Sequence, residues 1–187
     1  SLPTSGSDRP RLIETWRGRI VLAGLHGDEH NWFMSASGDP LDWDYNDTNK
    51  GGSIAIAGNN SPAGKVGDVI NCLISWADDL LIFGGDNTIY QMTGDPAYGG
   101  QIDNMSDVTG IAWGRPYCRA PNGILYFFGS TGSVYTMTIS ADTGMVGLPK
   151  RISHAIEERL AAVNLNTSIV RMEWDNRQQG FYLFITP

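Results

Sequence analysis

The sequence predicts an all-β fold of about four repeated antiparallel units with one short C-terminal helix, and three observations predict it. Four short apolar runs recur, RIVLAG at 19–24, LLIFGG at 80–85, ILYFFGS at 124–130 and FYLFIT at 181–186, each opened by a turn. Before three of those turns stands a strand-like run that ends in Trp: LIETW at 12–16, CLISW at 72–76 and VRMEW at 170–174. The composition agrees: 18% charged residues, 10% aromatics, 23 Gly and 9 Pro suit many short strands joined by turns more than long surface helices.

Taken in order, the first unit spans about 11–57 and runs through LIETW, the turn Arg17-Gly18-Arg19, RIVLAG and then NWFMS at 31–35. The second, about 67–107, repeats this with CLISW, the turn Ala77-Asp78-Asp79, LLIFGG and TIYQMTGD at 88–95. The third, about 108–150, has Tyr117-Cys118-Arg119 where the others carry Trp, then Pro121-Asn122-Gly123, ILYFFGS and SVYTMT at 133–138. The fourth, about 165–187, has VRMEW, a turn at Asn176–Gly180 and FYLFIT. Aligned on Ile20, Leu80, Leu125 and Tyr182, the units are offset by 60, 45 and 57 residues, which brackets the roughly 40 to 50 residues of a propeller blade with loop insertions. The expected architecture is therefore a β-propeller-like array of about four antiparallel blades in a single domain over 1–187.

Strand chemistry supports the assignment. TIYQMT and SVYTMT alternate with period two, which places Ile89 and Val134 on one face and Tyr90 and Tyr135 on the other. RIVLAG and LLIFGG are apolar on both faces, as a strand covered on both sides must be. A helix is expected over about 154–163, capped by Ser153, with Ile156, Leu160 and Val163 on one face. The last unit stops after its second strand, so the chain reads as an incomplete fragment of a larger propeller. An unpaired blade recruits a partner, and a homo-oligomer is expected.

The net charge of −7 opposes the approach of nucleic acid and anionic lipid, so neither is expected as a partner. No apolar run approaches the roughly 20 residues of a membrane span, and SLPTSGSDRP lacks the order of a signal peptide. Cys72 and Cys118 lie 46 positions apart inside apolar stretches, which reads as buried free thiols.

The segment GLHGDEHNW holds His26, Asp28, Glu29 and His30 and invites a metal reading. A four-residue histidine spacing aligns ligands on a helix, though, and this stretch carries a glycine turn, so an exposed blade loop is the expectation. In DWDYNDTN, Asp42, Asp44 and Asn46 repeat the first alternate positions of a calcium loop. Asp47 stands where that loop needs Gly and Ser53 where it needs a bidentate Glu, leaving Asx turns as the alternative. Asp78 and Asp79 sit in a hairpin turn where neighbours point apart, which disfavours acid/base work. GNNSPAGK lacks the Ser or Thr that a phosphate loop needs after Lys65. Trp16, Trp76 and Trp174 are expected in the core, with Trp43 as a surface candidate. The candidates are thus Asp42, Asp44 and Asn46 for a metal and His26, Asp28, His30 and Trp43 for binding. No catalytic residue and no cofactor are expected.

The stretch RGRIVLAGLHGDEHNWFMSASGDPLDWDY, followed by LLIFGGDNTIYQMTGDP and YCRAPNGILYFFGSTGSVYTM, resembles a large group of tailed-phage virion proteins. These include the propeller-bearing nozzle and stabilisation proteins of short-tailed phages. The matching pattern is Gly18-Arg19-Ile20-Val21 opening a blade, Ser35 before Gly38-Asp39-Pro40 and Trp43, then Leu81-Ile82-Phe83, Tyr90 and a second Gly-Asp-Pro. It covers roughly residues 14–140. The resemblance implies a non-enzymatic bacteriophage or prophage structural protein, a ring-like or collar part of the tail or head-to-tail connector. Such a protein is made in the bacterial host cytoplasm and contacts copies of itself and other virion proteins. The loops at His26–His30, Asp42–Lys50 and Ala97–Asp103 are then the candidate contact surfaces. Two other functions fit the same fold. One is a carbohydrate- or host-receptor-binding propeller module. The other is a propeller hydrolase, which needs facing carboxylates from different blades, and only Asp28, Asp86 and Asp95 come at comparable blade positions.

Overall fold

The computed structural model describes residues 9–46, 53–77 and 79–187, and the expected turn residue Asp78 lies outside them. The chain divides into two compact units, Ser1–Gly84 with Tyr90–Asn104 and Gly85–Ile89 with Met105–Pro187.

The first unit is built on two four-stranded sheets. In one, β1 (Leu12–Trp16), β2 (Arg19–Leu25), β3 (Asp28–Met34) and β4 (Ile56–Ala57) lie side by side in chain order. In the other, β5 (Cys72–Ala77), β6 (Leu80–Gly84), β7 (Ile89–Thr93) and β8 (Gln101–Ser106) do the same. The β1–β2 hairpin closes through Arg17 at φ 50° and Gly18 at φ 70°, the left-handed pair that matches strand twist in a two-residue loop. Arg17 lies over the Trp16 ring at 5.6 Å and pairs with Asp79 at 3.0 Å.

Alternation then decides what each face of β2 meets. Val21 and Ala23 join Trp32, Met34, Leu81, Phe83 and Met92 in one apolar cluster between the two sheets. Leu22 points to the opposite face, where Phe33, Ala57, Trp43 and Tyr45 pack. A register shift between Ala23 and Leu25, with Gly24 at φ 70°, is a bulge that turns Leu25 onto the Leu22 face as well. Every residue of β6 is buried, as its two-sided apolar pattern requires.

The second unit repeats the design. A four-stranded sheet holds β10 (Tyr117–Arg119), β11 (Leu125–Phe128), β12 (Val134–Met137) and β13 (Lys150–Arg151), again in chain order. The last sheet has the order β15-β14-β9, with β14 (Ile169–Asp175) and β15 (Gly180–Thr186) antiparallel and the two-residue β9 (Gly114–Arg115) parallel to β14. Ala112, Phe128, Val134, Val170 and Met172 form the cluster between these sheets, and the Tyr126 ring lies 5.7 Å from Trp174 and 5.2 Å from Phe181. Consecutive antiparallel sheets, each led by a Trp- or Tyr-bearing strand and a tight turn, make the fold all-β and propeller-like, with four antiparallel blades and one short helix. Among the described residues no helix is long and apolar enough to cross a membrane.

The helix is shorter than its sequence pattern. A 3₁₀ turn at His154–Ile156 leads into α1 (Glu157–Ala161), and the chain turns at Asn164, which accepts bonds from Asn166, Thr167 and Ser168. Ser153 does not cap it. Its hydroxyl accepts the N–H of Val134 at 3.1 Å, so the side chain ties the helix start to β12. Ile156 is 47% exposed, and Leu160 alone of the expected stripe is buried, in the cluster between the sheets.

Candidate functional site

The β2–β3 hairpin carries the first candidate group. Asp28 accepts a hydrogen bond from Asn31 Nδ2 at 2.7 Å and pairs with Lys65, which fastens the hairpin to the 58–66 connection. Lys65 is thereby engaged by a carboxylate. His26 Nδ1 stands 3.6 Å from Glu29 and its side chain is exposed. His30 is also exposed, and its carbonyl accepts the N–H of Val66 at 3.0 Å. Among the described residues no group of three or more His, Cys, Asp and Glu side chains is placed to hold a metal ion.

The second group belongs to the β3–β4 connection. Asp39 accepts the N–H of Leu41, Asp42 that of Asp44, and Asp44 that of Asn46, each at 3.0 Å. These are successive Asx turns, in which each carboxylate is spent on its own backbone two residues on. Asp47 and Lys50 lie outside the described residues. Trp43 is half-buried, its Nε1 donating to the Pro40 carbonyl at 3.0 Å and its ring packed on the Leu22 face. The Tyr45 hydroxyl beside it is buried without a partner among the described residues, and burial pushes it up to about 12. Gly38 N–H donates to Gly18 at 2.9 Å, so this connection leaves the sheet at the β1–β2 turn. The His26 hairpin is at the other end of β2. Trp43 of the second group nevertheless packs in the cluster that holds Leu25, the residue before His26.

Arg19 is the residue that sequence reasoning missed. It was legible only as a turn residue opening a blade, yet it is 2% exposed. Its Nη1 donates to the carbonyls of Ser35 at 2.8 Å and Ile54 at 2.6 Å, and Nη2 stands 3.6 Å from Asp95. Burial lowers its pKa from the ordinary arginine value, and Asp95 opposes that shift. Asp95 also accepts the N–H of Ala97 at 2.9 Å, so the guanidinium holds the 95–97 loop and the β3–β4 connection in place. Asp28 and Asp95, two of the three loop carboxylates at comparable blade positions, are both engaged in structural bonds.

The second unit holds a cavity of about 340 Å³ lined among others by Arg115, Tyr117, Cys118, Arg119, Glu173 and Trp174. Arg115 lies over the Tyr117 ring at 5.9 Å. Burial, with Glu173 adding to it, pushes the Cys118 thiol up to about 11 from an ordinary 9.0. A raised folded-state value stabilises the fold fully below pH 9, and that contribution is lost as pH rises through 11. Urea unfolding from pH 8 to 11 is expected to show this loss in the native chain and a flatter profile in Cys118→Ala. Parallel profiles would contradict it.

No protein-family model matches the chain, and no match is found among the curated proteins. Among solved structures the chain is similar to Kluyveromyces lactis Hsv2, with 9% sequence identity and a TM-score of 0.39. The match covers 94% of this chain and 60% of that one. This chain thus spans about three fifths of the length of that protein, and the assignment of blades stands on the strand order above.

Proposed function

We propose that this chain is a structural component of a phage or prophage virion, in the tail or the head-to-tail connector, acting through protein–protein assembly and not catalysis. One structural observation supports assembly above the rest: the last sheet exposes large apolar side chains on the face they share with Arg171 and Glu173. Tyr182 and Phe184 are each 52% exposed, and Ile169 beside them is exposed too. The sequence pattern over residues 14–140 supplies the virion part of the reading. The partners are then further copies of this chain and other virion proteins, and the blades serve as rigid platforms for them. Mass spectrometry of gradient-purified particles is expected to find the protein at a fixed copy ratio to the other structural proteins. Its presence in the lysate and absence from particles would contradict the proposal.

A carbohydrate- or receptor-binding module is the second reading, and the 340 Å³ cavity favours it. Two guanidinium groups beside Tyr117 and Trp174 suit an acidic sugar. A glycan array with saturable signal lost in Trp174→Ala would support that reading.

A further inference from the structure

The β10–β11 hairpin turns through Ala120-Pro121-Asn122-Gly123, and Asn122-Gly123 is the only Asn-Gly pair in the chain. Pro121 at the second position and Gly123 at the fourth suit a tight turn, which Gly123 closes by donating its N–H to the Ala120 carbonyl at 2.9 Å. Asn122 is exposed, and its Oδ1 accepts the N–H of Ile124 at 3.2 Å. That bond, from a side chain to the backbone two residues on, does two things. It curls the amide back towards the backbone that follows, and by drawing charge onto Oδ1 it leaves the Cγ carbon more electrophilic. The nitrogen in reach of that carbon is the one of Gly123. Glycine carries no side chain of its own to shield it, and a Cβ built there would meet nothing within 4 Å. A reaction between two groups of one chain already held close together needs no second protein or cofactor to bring them into range.

We propose that Asn122 is a self-modification site, at which the side-chain amide is lost through a cyclic imide and aspartate or isoaspartate takes its place. The Gly123 nitrogen bonds to Cγ of Asn122, and the Cγ–Nδ2 bond breaks. Ammonia leaves, carrying the proton that the Gly123 nitrogen gives up. Solvent water then adds across one of the two imide C–N bonds, its hydroxyl to carbon and its proton to nitrogen. Opening at Cγ yields aspartate. Opening at the main-chain carbonyl carbon yields isoaspartate, whose backbone runs through the former side chain. Asn164 isolates the cause. It too is exposed, and its Oδ1 accepts the N–H of Asn166 two residues on at 3.0 Å, yet Leu165 follows it. The side-chain bond is the same, and the shielding of the next nitrogen differs. The consequence reaches the sheet, because isoaspartate adds a methylene to the main chain of a turn whose strands pair from Arg119↔Leu125 onward. The new carboxylate also stands next to Pro121, which lines the 340 Å³ cavity. Such a site is independent of the assembly reading.

Incubation of the native 187-residue chain in mildly alkaline buffer, followed by tryptic mass spectrometry, tests it. Cleavage after Arg119 and Lys150 releases Asn122 in a peptide with no other Asn or Gln. Asn122 is expected to show the mass gain of an amide-to-acid exchange, in part as isoaspartate, at least about tenfold faster than Asn164. Each event adds one negative charge to the chain's −7, which anion exchange resolves. Asn122→Gln, whose longer amide has to close a larger ring, is expected to lose the reaction and to keep the native far-UV dichroism. A native chain in which Asn122 stays intact overturns the proposal, as does conversion no faster than at Asn164. Conversion seen only after urea has unfolded the chain overturns it too, because the turn would then protect the pair.

Discussion

Trp32→Ala is expected to destabilise the first unit by about 3–5 kcal/mol, the range for removing a large buried aromatic. The side chain is 0% exposed, its ring stands 6.5 Å from Phe83, and it sits in the cluster that joins the two sheets. No neighbouring chain segment is free to collapse into the space, because Val21, Met34 and Leu81 are themselves fixed in paired strands. Trp32→Phe separates the two contributions. It restores much of the apolar contact but removes the Nε1 donor from the Gly64 carbonyl, 3.0 Å away. That variant is expected to lose about 1 kcal/mol, the low end of the penalty for an orphaned acceptor, because the Gly64 carbonyl is only partly buried. Urea unfolding followed by far-UV dichroism measures both. A loss below about 1 kcal/mol for Trp32→Ala, the size of an ordinary substitution, would mean that this cluster is not what holds the two sheets together.

Arg19→Met is expected to cost about 3 kcal/mol, near the lower end of what breaking a buried ion pair costs. The substitution leaves the carbonyls of Ser35 and Ile54 without their donor and Asp95 without its cation. Water reaches Asp95, whose side chain is 29% exposed, and this holds the effect below the upper end of that range. Arg19→Lys keeps the charge but lacks the planar fork that serves two carbonyls and a carboxylate together, so it restores only part of the loss. Hydrogen exchange at residues 53–57 and 95–97 is expected to rise in Arg19→Met, because the guanidinium is the tie between those loops. Unchanged exchange there would show that the loops are held by their own turns.

The features that could be read from the sequence are those whose cause is local. A strand-like run ending in Trp before a turn defines LIETW, CLISW and VRMEW, and all three are strands. Trp16 and Trp76 are buried, while Trp174 is half-buried against Tyr126, at the sheet with no third antiparallel strand. The short strands β4, β9 and β13 were not legible. Two residues carry no period, and these strands exist only because a longer neighbour offers them an edge. The helix pattern was legible but its length was not, since Ser153 spends its hydroxyl on Val134, a partner 19 residues earlier.

The candidate site divides in the same way. His26 and His30 are exposed on a hairpin, as a glycine turn between polar residues implies. The bond that defines the hairpin joins Asp28 to Lys65 across 37 residues, and no local pattern announces it. Asp42, Asp44 and Asn46 share their spacing with both a cation loop and a run of Asx turns, and Asp42 and Asp44 accept the backbone N–H groups of Asp44 and Asn46 as the turns require. Arg19 was hidden for a related reason. A charged residue beside a hairpin turn reads as exposed, and its partners lie 16 and 35 residues away.

Amide hydrogen exchange on dilute protein tests most directly whether the repeated hairpins are equivalent blade units. The strands paired on both edges, β2, β6 and β11, are expected to hold the slowest amides in the chain, at Val21–Ala23, Leu81–Phe83 and Phe127–Phe128. The short edge strands β4 and β13, paired on one edge in the sheet order among the described residues, are expected to exchange faster. Faster exchange at Val21–Ala23, Leu81–Phe83 and Phe127–Phe128 than at β4 and β13 would contradict the account, because it would mean that these three strands are not the equivalent middle strands of their blades.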